Sequence, residues 1–173
     1  FFDGFAANKS YSISIIKEAM SAGADWVILC DTNGGCMPDQ VKATVESLIQ
    51  EGVEGNRLGI HAHNDTENAV ANSLAAVHAG VRQIQGTLNG LGERCGNANL
   101  ISILPTLLLK PLFAERFITG VTFDSLKEIT RASRIMDDVL NRVPNRFAPY
   151  VGSSAFAHKA GLHANAILKN TET

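Results

Sequence analysis

The chain is poor in the residues that would commit it to several large classes of protein. It has 3 cysteines, Cys30, Cys36 and Cys95, an odd number without a disulfide spacing. They read as reduced thiols of a cytoplasmic protein, not as the staples of a secreted one. A zinc site on Cys30 and Cys36 has no second thiol pair to complete four ligands. Neither sign of charge is in excess: the formal net charge is −2, which removes the electrostatic case for nucleic acid or an anionic membrane as partner. No apolar run reaches bilayer length, since the longest, around Leu100–Leu109, is broken by Ser102, Pro105 and Thr106. A G-x-G-x-x-G nucleotide loop is also missing after the first strand. "GLGERCGN" holds Gly90, Gly92 and Gly96, but Glu93 is ill-suited to cradling a phosphate, so dinucleotide binding is set aside. The chain opens on Phe1, and "FFDGF" reads like the end of an element, so a fragment is expected.

What is present is an apolar content of 45%, which fits a soluble globular domain, and a unit that recurs about every thirty residues. Residues 10–22 have helical apolar spacing and stop at Gly23, and "DWVILC" follows as an apolar strand of the kind buried on both faces. Residues 38–51 open with Pro38 and stop at Gly52, before the strand "RLGIHA". Residues 67–79 stop at Gly80, before "VRQIQGTL", and residues 97–109 are helical again with a bend expected at Pro105. Each helix-ending glycine suits a left-handed cap. Helix then strand, repeated with short loops, predicts a parallel sheet with right-handed crossovers. Both a (β/α)8 barrel and an open doubly wound sheet satisfy this, and both gather ligands at the carboxyl ends of their strands. Those ends carry "CDTNGG", "HAHND" and "GTLNGLGERCGN", while the opposite ends are plain. Three polar tips at one mouth favour the barrel.

Past about residue 112 the pattern changes. Residues 122–140 read as one amphipathic helix with Ser125 and Glu128 spaced as a capping box. "NRVPNRFAPYVGSSAF" is irregular, and "AHKAGLHANAILKN" is helical in its second half. The expected division is a barrel segment over 1–113 and a small helical subdomain over 114–173.

His61 and His63 sit at the tip of the second strand. Side chains two apart on a strand point the same way, about 7 Å apart, so both imidazoles can converge on one ion. Asn89, Glu93 and Asn97, on the neighbouring strand or its loop, offer oxygen donors. Two imidazoles with oxygens suit Mn²⁺, Mg²⁺, Fe²⁺ or Zn²⁺ rather than a thiolate-selected ion. Such a divalent metal with open positions can polarise a carbonyl substrate. His78, late in a helix, suits the helix dipole, and His158 is less informative.

"LGIHAHNDTENAVANSLAAVHAG" followed by "GTLNGLGERCGNANL" resembles the 2-isopropylmalate, homocitrate and citramalate synthases, metal-dependent TIM-barrel acyltransferases that condense acetyl-CoA with a 2-oxoacid. With "FFDGF", "LCDTNGG" and "PNRFAPYVGSSAFAHKAGLHANA", the likeness is nearest to the citramalate synthase branch, whose 2-oxoacid is pyruvate. The resemblance implies that His61, His63 and Asn97 are metal ligands and that Thr32 contacts the substrate carboxylate. It makes His163 of "AGLHANA" the general base and puts Glu93 and Arg94 beside the metal, where they orient its ligands, Glu93 as a second catalytic residue and Arg94 as a substrate contact. It further implies that the chain holds barrel strands six to eight, that the family's aspartate ligand and substrate arginine lie upstream, and that this piece alone is inactive. A cytoplasmic homodimer is implied for the full-length protein.

Overall fold

The computed structural model describes residues 2–158 together with Asn165 and Lys169. Three parallel strands, β1 (Val27–Asp31), β2 (Leu58–Ala62) and β3 (Gln83–Gln85), form one sheet in the order β1-β2-β3. Before it lie α1 (Phe2–Ala7) and α2 (Lys9–Ser21), and the crossovers are α3 (Pro38–Gln50) and α4 (Ala69–Ala79). After it come α5 (Leu100–Leu109), α6 (Pro111–Ala114), α7 (Phe123–Leu126) and α8 (Ile129–Val139).

The strand register divides the sheet into two faces. Leu29 pairs with Ile60 and Val27 with Leu58, so these side chains share a face, and Ile60 and Leu58 are fully buried there. Val41, Val45 and Leu48 of α3, Ala69 and Ala76 of α4 and Ile103 of α5 join them in one core. Each buried Leu or Ile contributes about 2 kcal/mol by leaving water, which fixes which face the strands turn to the helices. The other face carries Ile28, Cys30, His61 and Gln85, which are half-buried or exposed in this chain. The expectation of strands covered on both faces is therefore met on one face only.

The three glycine stops are one device used three times. Gly23, Gly52 and Gly80 take φ of 101°, 85° and 135°. In each case the following residue sends its N–H back five positions, Ala24 to the carbonyl of Ala19, Val53 to Leu48 and Val81 to Ala76, all at 3.0 Å. This closes the helix end and turns the chain straight into the next strand. Two arginines complete these ends: Arg57 donates to the carbonyls of Met20 and Ala24, and Arg82 to those of Val77 and Val81. A guanidinium there meets the negative end of the helix dipole.

Several boundaries differ from the sequence expectation. Residues 2–5 of "FFDGF" lie in α1, with Phe2 buried. Helix α4 begins at Ala69 because Glu67 has φ 62° and Asn64 Oδ1 accepts from the Ala69 N–H at 3.1 Å. β3 is cut to Gln83–Gln85, and α5 starts at Leu100, where Asn99 Oδ1 accepts from the Ile101 N–H at 3.0 Å. The single helix over 122–140 is two, α7 and α8. Its cap is Thr122, whose Oγ1 accepts from the Ser125 N–H at 3.1 Å. Ser125 is thereby inside the first turn of α7, where it cannot cap, and the Ser125–Glu128 box does not form. The helix expected near the C-terminus lies outside the described residues, Asn165 and Lys169 apart.

The helices after α5 are anchored to the loop that follows β3. Asn89 donates to the Ser133 carbonyl and to Asp137 Oδ1, both at 3.0 Å, and accepts from Ser133 Oγ at 2.7 Å. Thr106 and Tyr150 share a hydroxyl hydrogen bond of 2.9 Å.

Candidate metal centre

The second strand delivers two imidazoles to one place. His61 is the fourth residue of β2, and His63 follows just past its end. Their ring centroids are 5.1 Å apart, with planes at 81°. His63 is held by its backbone, whose N–H donates to the Asp31 carbonyl at 3.2 Å. The loop after β3 then doubles back onto this tip. Ala98 N–H donates to the Ala62 carbonyl at 3.0 Å and Asn64 N–H to the Gly96 carbonyl at 2.9 Å, so His63 and Asn97 form an antiparallel bridge. Asn97 therefore stands opposite His63, as the sequence reading required.

The same three residues are among five that keep a buried polar atom without a partner among the described residues. His61 Nδ1, His63 Nδ1 and Asn97 Oδ1 are buried without a hydrogen-bond partner among the described residues. A buried polar atom left so costs on the order of 1–3 kcal/mol, and three such atoms on adjoining chain segments fit a bound cation. Asn97 Nδ2 is already committed, donating to the Leu91 carbonyl at 3.0 Å, which leaves the amide oxygen as the free end. Glycine 92 makes this possible: a Cβ there would lie 2.2 Å from Asn97 Nδ2. Burial, and then the neighbouring His63, hold the His61 imidazole below its ordinary pKa, a direction that favours the neutral form a metal needs. Among the described residues no three His, Cys, Asp or Glu side chains cluster as a metal site. The groups here that could hold a metal are two imidazoles and a carboxamide.

Around these donors Arg94 clamps the three strand tips. Its guanidinium donates to the Thr32 carbonyl past β1 at 2.7 Å, and to both Asp65 oxygens past β2 at 2.8 and 3.0 Å. It also meets its neighbour Glu93 at 2.8 Å. The hydrogen bond from Arg94 holds the Asp65 carboxyl below the usual carboxylate range. Thr32 and Glu93 are exposed at the same rim. The structure thus brings together His61, His63, Asn97, Thr32, Glu93 and Arg94, while His163 lies outside the described residues.

Three supporting residues escaped the sequence reading. Asp65 is one. Asp31, buried at the end of β1, accepts from the Cys36 N–H at 3.2 Å and from Asn72 Nδ2 at 3.3 Å. Asn72 Nδ2 also donates to the Cys36 carbonyl at 2.8 Å, fastening the turn after β1 to α4. Burial, and then the Asp31 carboxylate, push the Cys36 thiol up to about 12, so it is no nucleophile. The available signal was a polar Asn72 one turn from Ala69 and Ala76, at a core position of an alanine-rich helix.

Comparison with known proteins finds relatives over the whole chain. Over 173 residues the chain is 48% identical to an (R)-citramalate synthase of Aquifex aeolicus, covering 100% of this chain and 32% of that protein. It is 38% identical to a 2-isopropylmalate synthase of Methylacidiphilum infernorum, covering 99% of this chain and 34% of that one. The chain spans about a third of the length of these relatives. The crystal structure of hydroxymethylglutaryl-CoA lyase from Pseudomonas aeruginosa has the same fold, with TM-score 0.64 at 24% identity over 91% of this chain and 47% of that one. The expected α/β architecture, a segment of a TIM barrel with helical material after it, is borne out. The HMGL-like family model matches residues 3–132, from α1 through all three strands into α8, and the chain belongs to that family.

Proposed function

We propose that the chain is part of an acyltransferase that condenses acetyl-CoA with a 2-oxoacid, in the citramalate branch, where that acid is pyruvate. The observation that carries the reading is the convergence of three unsatisfied donors, His61, His63 and Asn97, at the carboxyl ends of parallel strands. The higher identity to a citramalate synthase, 48% against 38% for a 2-isopropylmalate synthase, supports the branch and with it a place in branched-chain amino-acid synthesis.

In this reading His61, His63 and Asn97 hold a divalent ion, Mn²⁺, Mg²⁺ or Zn²⁺. When bound, the ion supplies Lewis acidity toward the keto group of the substrate. The Thr32 hydroxyl, exposed beside the site, donates to the substrate carboxylate. Arg94 fixes Thr32 through its carbonyl and reaches toward substrate with its remaining N–H, and Glu93 steadies Arg94. His163 takes a methyl proton from acetyl-CoA, for which an imidazole has a suitable pKa. The carbanion adds to the keto carbon, whose oxygen takes up a proton to become the hydroxyl, and water then cleaves the thioester to a carboxylate and free coenzyme A. In this reading residues 114–173, which include His163, are a unit separate from the barrel segment, in a homodimeric cytoplasmic enzyme. The family's aspartate ligand and substrate arginine are not in this chain, so the chain alone does not turn over substrate.

Two measurements test the reading. Calorimetric titration of Mn²⁺ into the chain is expected to show one site, weakened at least about 100-fold in a His61→Ala, His63→Ala double variant. Equal affinity in both rejects the ligand assignment. The full-length enzyme, given acetyl-CoA with pyruvate, 2-oxoisovalerate or 2-oxoglutarate in turn, is expected to prefer pyruvate. Preference for either of the others moves it to a different branch.

A further inference from the structure

The turn that carries Thr32 is held at four points, and they are not alike. Asn33 Nδ2 donates to Asp3 Oδ2 at 2.7 Å, the Thr66 hydroxyl to the Gly34 carbonyl at 2.7 Å, and Arg94 to the Thr32 carbonyl at 2.7 Å. Asp3, Thr66 and Arg94 are all exposed, so water can stand in for each of these bonds. The fourth point lies in the core. Asn72 is fully buried, and its Nδ2 donates to the Cys36 carbonyl at 2.8 Å and to Asp31 Oδ2 at 3.3 Å. The same Asp31 oxygen accepts from the Cys36 N–H at 3.2 Å. One amide group of α4 thus ties together both ends of the turn, residues 31 and 36, out of reach of solvent.

Position 72 is an unfavourable place for this side chain. It lies on the core stripe of α4 with Ala69, Ser73 and Ala76, all of them buried. Ser73 is satisfied inside its own helix, its hydroxyl donating to the Ala69 carbonyl at 2.8 Å. Asn72 instead reaches out of the helix and leaves its Oδ1 buried without a partner among the described residues. A buried acceptor without a donor opposes folding. A group that breaks the rule for core positions is expected where function, and not stability, sets the residue. What the amide holds is the turn whose first residue after β1 is Thr32. The Thr32 hydroxyl enters no hydrogen bond among the described residues, so the backbone of the turn sets where it stands.

We infer that Asn72 is a positioning residue for the 2-oxoacid, acting through the turn 31–36 to hold Thr32 against the substrate carboxylate. The inference rests on the reading of Thr32 as the contact to that carboxylate. The candidate metal donors stand on other segments, β2 and the loop after β3, so a loss at Asn72 reaches the substrate and not the ion. The test is a double-mutant cycle in the full-length enzyme, with Thr32→Val, Asn72→Ala and the two combined, following KM for pyruvate. Thr32→Val and Asn72→Ala are each expected to raise KM about tenfold. In the Thr32→Val background Asn72→Ala adds less than about twofold, because the group it positions is already gone. Mn²⁺ affinity, read by calorimetry, stays within about twofold of the parent in both. A residue that serves stability alone would act by the same factor in the two backgrounds. Asn72→Ser, which keeps one donor on a shorter arm, is run beside the alanine variant in case the latter does not fold. It is expected to raise KM about threefold with the same dependence on Thr32. Equal factors in the two backgrounds, or an unchanged KM in the Asn72 variants, overturn the inference while the reading of Thr32 stands. An unchanged KM in Thr32→Val removes that reading and the inference with it.

Discussion

The two ends of the three strands are built to opposite rules. At the amino ends the polar groups are closed off: each preceding helix finishes in the same glycine turn, and Arg57 and Arg82 donate to carbonyls of the last helical turn and of the residues just past the glycine. At the carboxyl ends, side chains are held in place but left with atoms to spare. His61, His63 and Asn97 each keep a buried polar atom without a partner, and Asn72 Oδ1 joins them. Gln83 Oε1, at the start of β3, is the one such atom placed elsewhere among the described residues. One end is spent on stability and the other is kept for chemistry. The difference teaches where a substitution should be felt as unfolding and where as lost binding.

That contrast can be broken in three further places. The largest effect is expected from Gly92→Ala. The added methyl collides with the Asn97 amide, and Mn²⁺ affinity should fall by about 10- to 100-fold in a calorimetric titration. Unchanged affinity would mean that the carboxamide is no ligand. Arg94→Ala comes next, since it frees the tips of all three strands from one another. A loss of about tenfold in Mn²⁺ affinity is expected, and Arg94→Lys should not restore it, because an ammonium cannot span both Asp65 oxygens and the Thr32 carbonyl. Rescue by lysine would show that only the charge matters. The smallest effect belongs to the other end. Gly52→Ala forces an L side chain to φ 85° and should lower stability by about 1 kcal/mol, a melting shift of about 2–4 °C, with Mn²⁺ binding intact. A simultaneous loss of metal binding would show that the two ends are not independent.

The repeat was legible because it is local. A glycine stop needs only its own helix end, and the apolar runs at β1 and β2 announce themselves by composition, so both were placed within a residue or two. The His61 and His63 pair was legible for the same reason, since period two alone puts both rings on one side. The parts that were missed depend on contacts distant in sequence or on competition between neighbours. Thr122 outcompetes Ser125 as a cap because it stands first. The strand "VRQIQGTL" shrinks because residues 87–99 are drawn away to pair with β2 and with each other. That Arg94 also holds the tips of β1 and β2 shows only once Thr32 and Asp65 are seen within its reach. Asn72 and Asp31, 41 residues apart, meet only once α4 lies across the turn after β1.

The backbone bridge between His63 and Asn97 has a consequence for how this centre can change over time. The third donor is positioned by main-chain hydrogen bonds at residues 62, 64, 96 and 98, none of which involves the side chain at 97. The donor's backbone placement is thus independent of its side-chain chemistry, while the aim of the amide still rests on its Nδ2 donating to the Leu91 carbonyl. A lineage can exchange the side chain at 97 in a single codon change without rebuilding the backbone beneath it, but a carboxylate would give up that bond and face the Leu91 oxygen.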